Sequence, residues 1–412
     1  MEVMYLAFEG FDTQNGTNHL ALTMIDEFLS SGIKTYLVTS HSLGLYEDIP
    51  ALLKDRDGFS YDIIRRPVVS KTNFIQRYWD GLTYSLRCMK AWKKKIRDID
   101  VVILQSTPTA FFSAILLRWF GGKPIIYNCF DVFPDGAYAC GAIGSRLLYS
   151  ILRKMQHVLY NCCERIVVIS SDMKRTFVNQ GIPEDKLIEI RNWYDEKFVR
   201  PVEFSKNRFA QKYQLSDRNF YVQYAGNYGF TFDYKLVIEV ADLLSGFGDI
   251  VFQMVGTGAF EKDFKREVEA RGLRNVVFYP WQPLDMISDV YSACSVQFIP
   301  LAKGVIFNSF PSKGSLLMAC GKAIVCATEC ESDYYKMVNA NEIGICVPNT
   351  SPQRAADAIL SLYRSPERLR QIGENARVFG AKYYSSTHNV RKYIRIVRER
   401  SNVLGRGGAH VL

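Results

Sequence analysis

The stretch Phe310-Pro-Ser-Lys-Gly-Ser-Leu-Leu-Met-Ala-Cys-Gly-Lys-Ala-Ile-Val325 joins a polar turn to an apolar helix and then to a β-branched strand. Pro311 presets the backbone before the helix, Ser312 is a plausible N-cap, and Gly321 suits the left-handed residue that ends a helix. Backbone N–H groups at such a helix start, with Lys313 beside them, can bind a diphosphate. The stretch alone also fits an ordinary strand-loop-helix unit without a ligand.

The same alternation of strand and helix runs through the chain twice. Short apolar runs, typical of parallel strands buried on both faces, are separated by segments with helical spacing. In the first half these runs are 3–8, 33–39, 101–105, 124–128 and 165–170. In the second half they are 221–224, 250–255, 276–279, 296–300, 323–327 and 343–347. The pattern predicts an α/β protein with two Rossmann-like doubly wound domains, whose ligands bind at the carboxyl ends of the strands.

Length and composition agree with a globular protein of two domains. The 412 residues are 48% hydrophobic and 23% charged, and 51 Lys and Arg against 42 Asp and Glu give a net charge of +9. This balance favours phosphorylated or polyanionic partners, without distinguishing a nucleotide-sugar, a nucleic acid or an anionic membrane. The ten cysteines form no C-x-x-C pair, so we expect free thiols. No uninterrupted apolar run is long enough to predict a membrane-spanning helix.

Pro311-Ser-Lys, followed after five residues by Ala319-x-Gly-Lys-x-Ile, resembles the donor-binding segment of family 4 glycosyltransferases. The resemblance is to the bacterial branch that builds O-antigen, capsule and exopolysaccharide. It implies the GT-B fold, in which two Rossmann-like domains face a cleft. The acceptor domain would be residues 1–195, joined by a returning helix 386–404, and the nucleotide-sugar domain would be residues 205–385. The resemblance also implies retention at the anomeric carbon, no metal and no other cofactor.

The loop after the strand predicted at 221–224 carries the first donor-binding candidates. Gly226, Asn227 and Gly229 resemble the Gly-Asn-x-Gly turn that the family places near the donor diphosphate. Lys235 is a candidate replacement for the basic pair that relatives carry after this turn. The alternative is a tight turn that only connects a strand to a helix.

Three further loops resemble donor-site loops of the family. Gly256 and Gly258 resemble a loop that borders the donor, and a plain turn accounts for them equally well. Gln282 lies in a loop where relatives meet the nucleobase, and a proline-stiffened loop is its alternative. Gly16 opens the first predicted helix in a loop that relatives place close to the sugar and the acceptor.

Asp131-Val-Phe-Pro-Asp135 resembles the Asp-Leu-Trp-Pro-Glu/Asp motif of the bacterial branch. Either carboxylate could orient or deprotonate an acceptor hydroxyl, and the alternative is a turn at Asp131 with a helix beginning at Asp135. The glutamate pair for which the family is known falls on Asn308 and Leu316, so both carboxylates are missing. Asn308 could still hydrogen-bond a sugar hydroxyl or a phosphate, so it stands with the two aspartates as a catalytic candidate.

Basic and aromatic residues mix over residues 65–79 and 91–97 in the first domain. More cations of the same half are Arg146, Arg153, Lys154 and Arg165. Such mixtures suit an anionic membrane interface, although a solvated charged face is more common. No nucleic-acid motif accompanies them, so we expect no nucleic-acid partner. Without a recognisable signal peptide, we expect a cytoplasmic protein that contacts the inner face of the membrane peripherally, where a lipid-linked saccharide acceptor would lie.

The resemblance therefore implies a retaining glycosyltransferase that moves a sugar from a nucleoside-diphosphate sugar, with a UDP-sugar favoured, to a lipid-linked or glycan acceptor. Two other functions remain open: a nucleotide-sugar epimerase of the same fold, and a non-catalytic partner in a polysaccharide assembly complex. A dinucleotide-dependent oxidoreductase would need a complete G-x-G-x-x-G, and position 261 is Glu.

Overall fold

The computed structural model describes residues 1–10, 18–42, 49–67 and 74–407, which contain two open sheets. The strands of the first sheet, β1 to β7, are Glu2–Leu6, Lys34–Ser42, Phe59–Arg66, Val101–Gln105, Ile125–Asn128, Arg165–Val168 and Leu187–Glu189. The strands of the second sheet, β8 to β13, are Phe220–Asn227, Ile250–Thr257, Val276–Tyr279, Val296–Pro300, Ala323–Thr328 and Gly344–Pro348. The sheet orders are β3-β2-β1-β4-β5-β6-β7 and β10-β9-β8-β11-β12-β13, and the paired strands are parallel. The prediction of two doubly wound α/β domains is confirmed.

Helices connect successive strands of both sheets. Up to the end of the first sheet, α1 to α7 are Asn18–Ser30, Ala51–Lys54, Phe74–Trp92, Ala110–Leu116, Asp135–Ala139, Arg146–Cys162 and Ser171–Asn179. Later in the chain, α8 to α16 are Arg208–Lys212, Tyr234–Leu243, Glu261–Ala270, Ile287–Ser292, Lys313–Ala319, Asp333–Ala340, Pro352–Tyr363, Pro366–Tyr383 and Ser386–Gly407. A π-helical turn, Leu117–Gly121, continues α4.

The chain divides into two compact units. The first unit contains Met1–Asp135, Ser145–Arg191 and the chain from Ser386 onward, and the second contains Gly136–Gly144 and Asn192–Ser385. Helix α16 therefore belongs with the first sheet, where the Tyr393 hydroxyl donates to Asn128 Oδ1 at 2.7 Å. The predicted first domain, residues 1–195, included Gly136–Gly144, and no pattern in the sequence marks that segment as part of the second unit.

The central strands are buried because their sequences are continuously apolar. Every residue of β4 (VVILQ) and of β12 (AIVCAT) is buried, as expected for parallel strands covered by helices. The predicted apolar face of α1 is also buried, through Leu20, Met24, Ile25 and Phe28. Sequence patterning therefore places both cores correctly.

Three buried glutamines form a polar row across the second sheet. Gln223 of β8 lies opposite Gln253 of β9 and opposite Gln297 of β11. Gln223 Nε2 donates to Gln253 Oε1 at 3.0 Å, and Gln297 Nε2 donates to Gln223 Oε1. Because a buried amide that loses its partner costs about 1–3 kcal/mol, the row helps to fix which residues of these strands lie side by side.

The two edge strands of the first sheet, β3 at one edge and β7 at the other, were not predicted. β3 (FSYDIIRR) has no fully buried residue, and β7 has three residues, so neither carries a long apolar run. Arg66 of β3 points inward, where it pairs with Asp80 at 2.7 Å and lies 4.1 Å from the centroid of the Phe8 ring. Its inclusion in an exposed basic surface was wrong, because Asp80 neutralises it inside the fold.

Candidate functional site

The carboxyl ends of β8 and β11 lie where the second sheet reverses its direction of winding. From β8 the sheet continues to β9 and β10 on one side, and from β11 to β12 and β13 on the other. Ligands of open α/β sheets bind at such a switch point. Gly226 and Asn227 end β8, and the chain leaving β11 reaches α12 through residues 301–312. These segments and the first residue of α12 carry four of the predicted donor-binding residues: Gly226, Asn227, Ser312 and Lys313.

Lys313, the first residue of α12, points its ammonium group toward β8. Its Nζ lies 3.5 Å from the centroid of the Tyr224 ring and against Gly226, where any side chain would collide with it. Gly226 has φ +155°, a backbone conformation that favours glycine. The Tyr224 hydroxyl donates to the Asn227 carbonyl oxygen at 2.9 Å and so holds the turn that follows the strand.

The ammonium group of Lys313 is buried, and none of the residues that the structure describes offers it a hydrogen-bond acceptor. Burial lowers the pKa of Lys313 to about 7, because desolvation disfavours the charged form. The face of the Tyr224 ring attracts the cation but supplies no full negative charge. A diphosphate would supply that charge, so the geometry is that of an anion-binding site.

Gly256 and Gly258 of the next strand and loop pack directly under this turn. Gly256 lies opposite Gly226 in the sheet and has φ +139°, and a Cβ there would collide with the Gly226 carbonyl oxygen. A Cβ on Gly258 would collide with the Asn227 side chain. Packing thus accounts for both glycines, and the plain turn that the sequence left open has a physical basis. Gly229 closes the same turn by accepting a hydrogen bond from the Phe232 N–H at 3.0 Å.

The loop between β11 and α12 is held by a carboxylate that the sequence did not single out. Glu329, just after β12, accepts hydrogen bonds from the Gly304 N–H at 2.5 Å and from Asn349 Nδ2 at 3.3 Å. The Gly304 carbonyl oxygen in turn accepts from Asn308 Nδ2 at 3.1 Å. Asn308 is therefore buried and oriented by a short chain of hydrogen bonds that begins at Glu329.

The prediction that Ser312 caps α12 with its side chain is wrong. Ser312 has helical backbone angles, φ −55° and ψ −30°, and its side chain makes no capping hydrogen bond. A capping side chain requires an extended backbone at that residue, which Ser312 lacks. Leu316, at the second missing glutamate position, is buried in the core.

Two further donor-site candidates, Gln282 and Lys235, lie on other segments of the second unit. Both ends of the Gln282 amide are already used, since Oε1 accepts from Lys212 Nζ at 3.2 Å and Nε2 donates to the Tyr213 hydroxyl at 3.0 Å. Lys235 is exposed on the first turn of α9. Gly16 lies outside the described residues.

The two aspartates of the acceptor motif lie in the first unit and differ in their surroundings. Asp135 begins α5, as the helix-start alternative supposed, and its Oδ1 accepts from the Tyr149 hydroxyl at 2.9 Å. Its Oδ2 is buried without a hydrogen-bond partner among the described residues. Asp131 is exposed. Among residues 1–10, 18–42, 49–67 and 74–407, no three His, Cys, Asp or Glu side chains lie close enough together to hold a metal ion.

Two family models together match most of the chain. The model described as glycosyltransferase family 4 matches residues 14–198, and the model described as glycosyl transferases group 1 matches residues 205–379. The chain belongs to the family 4 glycosyltransferases. The first matched region contains β2 to β7, the second contains β8 to β13, and the Lys313 cluster lies in the second.

The relatives of this glycosyltransferase are distant in sequence. It is 24% identical over 309 residues to the probable glycosyltransferase WbjE of Pseudomonas aeruginosa, covering 74% of this chain and 76% of WbjE. It is 23% identical over 318 residues to O-antigen chain mannosyltransferase C of Escherichia coli, and the match covers 76% of this chain and 79% of the mannosyltransferase. The crystal structure of HepE from Anabaena in complex with UDP superimposes with a TM-score of 0.71 at 15% identity, covering 97% of this chain and all of HepE. This likeness confirms the GT-B fold.

Tyr224 and Glu329 were missed because their roles depend on tertiary contacts. Tyr224 is one of several aromatic residues near the end of β8, and period-two patterning assigns it to the core. Glu329 follows an apolar strand, as many solvated carboxylates do. Only the folded chain shows that one residue faces Lys313 and that the other binds the Gly304 N–H.

Proposed function

We propose that this enzyme transfers a sugar from a nucleoside-diphosphate sugar, a UDP-sugar in preference, to an acceptor in bacterial surface polysaccharide synthesis. The observation that carries the proposal is the buried ammonium group of Lys313 at the switch point of the second sheet. An ammonium group placed there without a counter-charge fits the diphosphate of a donor. HepE, which has been solved with UDP and with UDP-glucose, and the O-antigen mannosyltransferase support the donor class and the pathway class.

In the proposed reaction the bond between the anomeric carbon and the diphosphate breaks, and a bond to the acceptor oxygen forms. The hydroxyl proton passes to Asp131 or Asp135, and the nucleoside diphosphate departs with the electron pair of the broken bond. Lys313 stabilises the negative charge that develops on the leaving nucleoside diphosphate, a role that a metal ion has in other enzymes. We propose retention at the anomeric carbon without a metal or other cofactor, in keeping with the family. Asn308 would contact the sugar or phosphate, and Asp131 or Asp135 would orient the acceptor hydroxyl.

The proposed acceptor is a lipid-linked saccharide at the inner face of the cell membrane. Nine of the nineteen exposed large hydrophobic side chains of the described residues belong to α3, α6 and the turn that continues α4: Ile75, Trp79, Leu86, Trp119, Phe120, Leu147, Leu148, Ile151 and Val158. Helix α4 packs against both α3 and α6, so these side chains belong to one helical layer. Exposed lysines and arginines accompany them, as on surfaces that bind anionic membranes.

Part of the basic and aromatic surface expected over residues 91–97 is buried or half-buried. Trp92 is 1% exposed, and Lys95 donates to Ser60 Oγ and lies over the Tyr36 ring. Lys93, Lys94 and Arg97 remain exposed or partly exposed. In the described part of the chain, no helix combines the length and hydropathy of a membrane span. The membrane contact that we propose is peripheral and reversible.

Calorimetric titration with UDP, GDP, CDP, ADP and NAD tests the donor proposal. Selective binding of UDP, followed by sugar transfer from a UDP-sugar to a lipid-linked acceptor fraction, is the expected outcome. Interconversion of the donor sugar without an acceptor would instead identify an epimerase. Failure to bind every nucleoside diphosphate would favour a non-catalytic partner. Flotation with phosphatidylglycerol vesicles at low salt, compared with phosphatidylcholine vesicles, tests the membrane contact, and loss of binding in Trp79→Ser and Trp119→Ser would locate it.

A further inference from the structure

Helix α6 borders a pocket in the first unit that the donor site does not use. The pocket has a volume of about 370 Å³ and is lined by five side chains of this one helix: Tyr149, Ser150, Arg153, Lys154 and His157. Two of the five are cationic, one is an imidazole and two carry hydroxyl groups. This is the set of donors that phosphate oxygens accept in proteins.

An apolar strip runs beside the pocket on the same helix. Leu147, Ile151 and Val158 recur at helical spacing, so they share one face, and they are 72%, 48% and 46% exposed. Tyr149, Arg153 and His157 recur every fourth residue on the adjoining face. The exposed half of α6 is thus divided lengthwise into an apolar side and a cationic side.

The lining of the pocket carries two cations, and one carboxylate, Asp135, contacts it. The hydroxyl of Tyr149 donates to Asp135 Oδ1 at 2.9 Å, so this carboxylate is held by a residue of the pocket wall. Burial, and then the positive charge of Arg153, lower the pKa of His157. Asp135 acts on that pKa in the opposite direction, and a bound anion would favour the charged imidazole in the same way.

We propose that this pocket binds the phosphate group of a lipid phosphate and that the adjoining apolar strip holds the first part of its hydrocarbon chain. The inference rests on the lipid-linked acceptor of the proposed function and gives that acceptor a binding site. A free phosphate would use the pocket alone, and a nucleic acid would leave Leu147, Ile151 and Val158 in contact with water. Only a ligand with an anionic head and an apolar tail uses both sides of the helix.

The test is titration of the full chain with three probes: farnesyl phosphate, farnesol and inorganic phosphate. Farnesyl phosphate is expected to bind more tightly than either of the others. Because a hydrogen bond to a charged group is lost, Arg153→Ala should weaken farnesyl phosphate binding about tenfold. The paired change Leu147→Ser with Ile151→Ser should weaken farnesyl phosphate binding and leave inorganic phosphate unaffected. Arg266→Ala is the matched control, since Arg266 is an exposed arginine of the second unit paired with Asp263.

Unchanged farnesyl phosphate affinity in Arg153→Ala would overturn the inference, and so would equal affinity for farnesyl phosphate and inorganic phosphate. Self-association of the chain through the apolar strip, measured by sedimentation, with no binding of farnesyl phosphate, would overturn it as well. His157→Ala provides a second loss-of-binding variant if Arg153→Ala fails to fold. UDP binding reports on the second unit separately. A protein that binds UDP but not farnesyl phosphate therefore contradicts this inference and leaves the donor proposal standing.

Discussion

The ammonium group of Lys313 lies 3.5 Å from the centroid of the Tyr224 ring, with its Nζ buried between the end of β8 and the start of α12. A cation over an aromatic face gains roughly 0.5–2 kcal/mol, much less than a buried ammonium group loses on leaving water. The ring therefore positions the lysine without fully stabilising its charge. In the proposed function a bound diphosphate would complete the stabilisation.

Replacing Lys313 by Met is expected to weaken binding of UDP-glucose. The change removes a charge-assisted contact worth roughly 1.5–3 kcal/mol, so the dissociation constant should rise by about tenfold or more. Calorimetric titration gives the constant directly. Lys336→Met, at a 62% exposed lysine of α13, is the control and should bind as the parent does. Equal affinity of the Lys313 variant and the parent would remove Lys313 from the site.

Binding of UDP-glucose should take up protons above neutral pH. The pKa of Lys313 is lowered to about 7 by burial, so the lysine is largely protonated at pH 6 and largely neutral at pH 8. An adjacent diphosphate restores the charge, so uptake should approach about one proton per site at pH 8 and fall toward zero at pH 6. Titration in buffers of different ionisation enthalpy measures the uptake. Lys313→Met should show none, and an uptake in that variant equal to the parent's would assign the proton to another group.

Tyr224→Phe and Tyr224→Leu separate the two contacts of this side chain. Phe keeps the ring under Lys313 and loses the hydroxyl bond to the Asn227 carbonyl, which costs about 0.5–1.5 kcal/mol of stability. The Tyr224→Leu change removes the ring as well, so the charged form of Lys313 becomes less favourable and its pKa falls further. The affinity for UDP-glucose should therefore begin to weaken at a lower pH than in the parent. The pH dependence of UDP-glucose affinity distinguishes them. Identical pH profiles for Leu and Phe would show that the ring does not act on Lys313.

Gly256→Ala should destabilise the second unit. The φ of +139° disfavours any side chain, and the new Cβ would collide with the Gly226 carbonyl oxygen. Strain of this kind costs about 1–3 kcal/mol, and we expect at least that loss in the free energy of unfolding by urea. Gly248→Ala is the control, because no atom lies within 4 Å of a Cβ there. A Gly256→Ala protein as stable as the control would contradict the close packing of β8 and β9.

Glu329→Ala should lower the rate of sugar transfer without abolishing UDP binding. The change removes the acceptor of the Gly304 N–H, and Asn308 is oriented through the Gly304 carbonyl oxygen. Loss of this hydrogen bond to a charged group should reduce kcat by about tenfold, while the affinity for UDP changes less. Glu331→Ala, two residues along and exposed, controls for loss of negative charge. Equal kcat values for the two variants would show that the loop does not need Glu329.

The sequence was sufficient for the cores of both sheets, because short, continuously apolar runs such as those of β4 and β12 are typical of buried parallel strands. It also placed Lys313 at the start of a helix, where α12 begins, and Gly226 at the carboxyl end of a strand. It could not show that Lys313 turns onto Tyr224, since side-chain direction depends on contacts between segments about 90 residues apart. The edge strand β3 and the capping state of Ser312 were missed for a related reason. Each depends on backbone geometry that residue identity only weakly restricts.

The glutamine row has a consequence for the donor site. Gln223 and Gly226 are three residues apart on β8, and their partners Gln253 and Gly256 are three apart on β9. A slip of the strands by one residue would therefore separate the amides and move the two glycines out of line together. The hydrogen bonds between the buried amides therefore fix the register of β8 and β9, which also sets Gly226 opposite Gly256. If the donor binds as proposed, a substitution at the buried Gln223 is expected to weaken donor binding by displacing Gly226 relative to Gly256.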